Sequence, residues 1–88
     1  MTWRIEFTRT AEKQIVKLDR QAQASILRYL RQRVQLSDDP RQLAKILHGD
    51  KQGLWRYRVG NYRLICDIQN EKLTVLVLAV AHRKEVYR

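Results

Sequence analysis

The dipeptide Gly60-Asn61 sits between two runs rich in aromatic and β-branched residues, and such a pair accepts the positive φ of a tight two-residue turn. No other feature constrains the chain as strongly. Trp55-Arg56-Tyr57-Arg58-Val59 must fold back against Tyr62-Arg63-Leu64-Ile65-Cys66-Asp67-Ile68 as an antiparallel hairpin. Strand side chains alternate between faces, so Arg56 and Arg58 share one face while Trp55, Tyr57 and Val59 enter an apolar layer on the other. The expectation is a hairpin with an apolar back and a front of fixed positive charge.

The preceding segments supply what that back packs against. Trp3-Arg4-Ile5-Glu6-Phe7 alternates apolar and charged residues, the mark of a half-buried strand with Trp3, Ile5 and Phe7 inward. Thr8 or Thr10 can cap the helix that follows, with Glu12 in its first turn and Ala11, Ile15 and Leu18 at helical spacing. Asp19 is a break or second cap. A longer helix is expected from about Arg20 to Leu36, because Ala22, Ile26, Leu30 and Val34 form an apolar stripe that Leu27 widens. Lys13, Lys17, Arg20, Arg28, Arg31 and Arg33 lie off these stripes, on faces that are either solvated or used against an anionic partner. Asp39 precedes Pro40 and is pushed out of the helical region. Leu43, Ile46 and Leu47 make either a short strand or a packed loop. After the turn Gln69-Asn70-Glu71-Lys72, the nearly continuous apolar run from Leu73 to Ala81 reads as a central strand. The order is β-α-α-β-β-β. It predicts an α+β domain over residues 1–88, two N-terminal helices on one face of a small, mostly antiparallel sheet, and an open second face bearing Arg56, Arg58 and Arg63.

Charge points to a polyanionic partner. The 88 residues carry a formal net charge of +9, unevenly spread: residues 1–40 hold 8 Lys/Arg against 5 Asp/Glu, residues 41–88 hold 10 against 4. Cys66, the single cysteine, sits mid-strand and reads as a buried inert thiol, which fits a reducing cytoplasm. Met1-Thr2-Trp3-Arg4-Ile5-Glu6 lacks the apolar core of a signal peptide, and Val75 to Ala81 is too short to cross a bilayer. A cytoplasmic protein without membrane contact is expected.

The inventory of reactive groups narrows the chemistry. Ser25 lies mid-helix and Ser37 in a turn; there is no glycine-rich phosphate loop; the acids are scattered, which disfavours a carboxylate-bound metal; His48 and His82 are far apart and lack cysteine partners. Arginine, a strand-end histidine and tyrosine remain. That set suits one reaction without metal or cofactor, the cleavage of RNA by its own 2′-hydroxyl, which needs a base, positive charge on the phosphorane and an acid for the leaving oxygen. Each group also has a structural alternative. Arg56 and Arg58 serve equally as solvated charges, Arg63 has Asp67 and Glu71 as ion-pair partners, and Tyr87 can pack the C-terminus.

The sequence resembles the RelE toxin family, the messenger-RNA interferases of toxin–antitoxin pairs. The resemblance runs through Ile5-Glu6-Phe7, Leu47-His48-Gly49, Leu54-Trp55-Arg56-Tyr57-Arg58, Gly60-Asn61-Tyr62-Arg63-Leu64 and His82-Arg83-Lys84-Glu85-Val86-Tyr87. It implies a toxin that enters the ribosomal A site and cuts the codon there. It also implies phosphate binding by Arg56, Arg58 and Lys51, and catalytic roles for Arg63, Arg83 and Tyr87. One branch of the family has lysines at the hairpin positions. The arginines here stay protonated, which moves the expected proton transfer to His82, with Tyr87 second. The family further implies an acidic RelB-like antitoxin in a hetero-oligomeric complex. The alternative is a ParE-like toxin of the same fold that inhibits DNA gyrase and cuts no RNA.

Overall fold

The structure, a computed structural model, describes residues 2–48 and 53–82. Strand β1 (Arg4–Phe7) leads into α1 (Arg9–Val16) and α2 (Arg20–Tyr29), then a π-type turn over Leu30–Val34. A 3-10 turn (Pro40–Leu43) precedes the short β2 (Lys45–Ile46), the hairpin β3 (Trp55–Val59) and β4 (Tyr62–Gln69), and finally β5 (Thr74–His82). The five strands are ordered β1-β5-β4-β3-β2, with β1 parallel to β5 and the other neighbours antiparallel. The α+β architecture expected from the sequence is the one observed; β5 is an interior strand between β1 and β4, and β4 is the middle strand.

Both helices start where short polar side chains can hold a backbone N–H. Thr8 accepts from Ala11 at 3.1 Å and Asp19 from Ala22 at 2.7 Å. The second helix does not run to Leu36 as a regular α-helix. A four-residue apolar spacing over-rotates a 3.6-residue helix by about 40° per step. The wider turn, seen in the Gln35 N–H to Leu30 C=O bond of 2.8 Å, takes up that drift. Leu30 and Val34 both stay buried as a result.

The core lies between the helices and one face of the sheet. Ile15, Ile26, Leu30 and Val34 meet Tyr57, Leu64, Cys66, Val75, Val77 and Val80. Tyr57 is fully buried and donates its hydroxyl to the Pro40 carbonyl at 2.9 Å, while its ring meets Tyr29 edge-on at 6.0 Å. Burial pushes the Tyr57 phenol well above its ordinary range and the Cys66 thiol up to about 12. The thiol is thus the inert group expected. No helix among the described residues is long and apolar enough to cross a membrane.

One irregularity decides which residues share a face. Ile65 opposes Ala79, but Cys66 opposes Val77, so Leu78 is an extra residue in β5. Val77 and Val80 therefore both enter the core although three residues apart.

Candidate functional site

The β3–β4 turn forms as the sequence predicts. Val59 pairs with Tyr62 across Gly60-Asn61, and Gly60 takes φ +58°. Directly opposed residues of neighbouring strands project on the same face. Arg56 stands opposite Lys45 of β2, and Arg58 opposite Arg63 of β4. Tyr57 and Leu64, between them, point into the core, so all four cations lie on the face that the helices do not cover. Leu43, Lys45, Arg56 and Arg58 line a small depression of about 120 Å³ there. On the β5 side Arg63 is flanked by Ala81, and Ile65 by Ala79, so the floor beside the arginines is made of small side chains.

Such a face is electrostatically costly. Like charges directly opposite in a sheet destabilise it, and here two such pairs adjoin. Arg63 is also only 2% exposed, whereas Arg58 is exposed and Arg56 half-buried. The expectation that Arg63 stands on an open surface is corrected in that respect: its face is right, but β4 is an interior strand between β3 and β5, and the guanidinium is enclosed. Elsewhere, Arg4 pairs with Glu6 at 3.2 Å and Arg41 with Asp39 at 3.1 Å. Asp67 Oδ2 accepts from the Gln69 side-chain amide at 3.0 Å.

The second correction concerns His82. It pairs with Tyr62, whose side faces the helices, and the two rings meet edge-on at 5.4 Å and 85°. The imidazole borders a cleft with Gln14, Lys17, Leu18, Tyr62 and Val80. It is therefore behind the sheet, not beside the arginines, because the extra residue Leu78 reverses the alternation of β5. Lys51, Arg83 and Tyr87, also expected at the site, lie outside the described residues. Lys45 was missed by sequence reasoning. Its signal is the alternation Ala44-Lys45-Ile46 just before the hairpin, too short to read as a strand. No group of three metal-ligating side chains occurs among the described residues.

The arrangement can hold an anion with several oxygens, and arginine supplies paired donors that match phosphate. The family comparison gives this face a context. The model of the ParE toxin of type II toxin–antitoxin systems (parDE) matches residues 5–87. The chain is a type II toxin of the RelE/ParE superfamily. It is 33% identical over 88 residues to Toxin RelG of Mycobacterium tuberculosis, covering 100% of this chain and 99% of that protein. Among solved structures, the toxin–antitoxin complex RelBE2 of M. tuberculosis superposes with a TM-score of 0.85 at 29% identity, covering 94% of this chain and 93% of the other. The archaeal RelE–RelB complex of Pyrococcus horikoshii shares the fold, with a TM-score of 0.72 at 23% identity, covering 94% and 97%.

Proposed function

We propose that this toxin is a ribosome-dependent endoribonuclease that cuts messenger RNA in the A site. The observation that carries the reading is the doubled like-charge pairing, Lys45 with Arg56 and Arg58 with Arg63, on the uncovered face. Four cations gathered on one uncovered face of the sheet suit a polyanion such as RNA. The reaction is attack of a ribose 2′-hydroxyl on the adjacent phosphorus, with departure of the 5′-oxygen and a 2′,3′-cyclic phosphate left behind. In this reading Arg63 stabilises the charge that builds on the phosphorane, and Arg58, Arg56 and Lys45, neighbours in the sheet, orient the phosphate. Arginine cannot serve as the base at neutral pH. With His82 behind the sheet, proton transfer falls to Tyr87 or to the ribosome, and Arg83 and Lys51 complete the cationic set. The partner outside the ribosome is an acidic RelB-like antitoxin in a hetero-oligomeric complex, a reading supported by the solved complexes of RelE with RelB. A net charge of +9 would steer that association. The cytoplasm is the compartment where both partners are met.

A second reading has its own support, since the matching family model is that of ParE. A ParE-like gyrase inhibitor would leave messages whole. A primer-extension map after brief expression separates the two. Cuts within translated codons, lost in Arg63→Ala with the fold retained, support the nuclease; intact message with induced DNA damage supports the gyrase inhibitor.

A further inference from the structure

The bulge in β5 is held from one side by α1. Strand β1 ends at Phe7, opposite Val77, so beyond that point β5 has no strand on that edge. Three hydrogen bonds take the place of a ladder. The Thr8 N–H donates to the Val77 carbonyl at 3.0 Å, the Thr8 hydroxyl to the Leu78 carbonyl at 2.9 Å, and the Val80 N–H to Gln14 Oε1 at 2.7 Å. A bulge leaves backbone groups outside the regular pairing, and buried ones need partners. Thr8 is also the cap of α1, whereas Gln14 lies within the helix and caps no terminus.

We infer that Gln14 is a positioning residue of the cationic face, acting through the bulge. The pairing at issue is Ala81 opposite Arg63 and Val80 opposite Leu64. Continuing the Cys66–Val77 register without the extra residue would set Val80 against Arg63 and take it out of the core. A branched side chain would then crowd the guanidinium where a methyl group now lies. The Val80 N–H bond to Gln14 favours the bulged register, and with it the place of the Arg63 head. This inference rests on the nuclease reading for its enzymatic readout but not for its structural one.

The test uses the full chain and a programmed ribosome in single-turnover cleavage. Gln14→Leu removes the acceptor and should lower the maximal rate about tenfold, the scale of a small misplacement of a reacting group, with half-saturation unchanged because the exposed cations are intact. Gln14→Glu keeps an oxygen in reach of Val80 and should restore the rate. A folded Gln14→Leu that cuts at the wild-type maximal rate overturns the inference. Should that variant fail to fold, Gln14→Ser, too short to reach Val80 but open to water, is measured against the same expectations. If wild-type protein cuts no message, the nuclease reading fails, and the Arg63 side-chain Nε–H resonance decides the positioning claim alone. It should shift in Gln14→Leu and return in Gln14→Glu; an unmoved resonance overturns the claim.

Discussion

The two faces of one sheet obey opposite rules. On the helix-covered face Tyr57, Leu64, Cys66, Val77 and Val80 are buried, and Tyr57 finds a partner for its hydroxyl in Pro40. On the uncovered face, one residue away along each strand, Lys45 opposes Arg56 and Arg58 opposes Arg63. Arg63 and Leu64 are consecutive in sequence and about equally enclosed. One contributes to stability through apolar burial. The other is a buried cation whose strand neighbour across the hairpin is a second arginine, Arg58. If the proposed nuclease reading holds, Leu64 serves the fold and Arg63 serves the anion, although their exposure is nearly the same.

That contrast can be broken by exchanging the two properties. Arg63→Met keeps a long side chain and removes the charge. Cleavage should fall by about 10²–10³-fold, the loss expected when one preorganised donor to developing charge is removed, while Tm holds or rises. A large drop in Tm would mean that Arg63 serves the fold. Leu64→Ala should do the reverse. Deleting a buried leucine costs about 2–5 kcal/mol, read as a lower urea midpoint, and the surviving folded fraction should keep its cleavage rate.

The buried face also predicts an alkaline limit. Cys66 is pushed up to about 12, chiefly by desolvation and then by Asp67, from an ordinary thiol value near 9.0. Between those values the folded chain holds a proton that the unfolded chain has lost. Stability from this group is complete below about pH 9 and declines as pH rises toward 12, by at most about 1.4 kcal/mol per pH unit. Cys66→Ala should flatten that limb of a stability–pH curve; an unchanged slope would assign the loss to Tyr57, whose phenol is raised in the same direction.

Much of this was legible in the sequence, for reasons that also explain what was not. Gly60-Asn61 and the alternation around it defined the hairpin and the shared face of Arg56 and Arg58. The sequence offers Thr8 or Thr10, and Asp19 as a break or cap, for the helix starts, and Thr8 and Asp19 are the caps observed. The run Val75 to Ala81 is apolar at every position, so it carries no period-two signal and cannot say which residues face the helices. The extra residue Leu78 leaves no trace in such a run, and the side taken by His82 was therefore not readable. Lys45 escaped for a different reason: a two-residue strand is set by its partner, and Arg56 lies 11 positions further on.

The smallest effect gives the sharpest comparison, because it concerns stability on the functional face. Arg58 is exposed and stands directly opposite Arg63. If the two guanidinium groups repel, Arg58→Thr should raise stability by about 0.2–1 kcal/mol, since the like-charge pair is removed and threonine suits a strand. The same repulsion is screened by salt. Wild-type protein should thus gain stability as sodium chloride rises from low to physiological concentration, and the variant should gain less. Urea is the denaturant to use, because guanidinium chloride would itself screen the pair. Equal salt slopes would show that the opposed arginines do not interact through their charges, and would remove the energetic reason for an anion on this face.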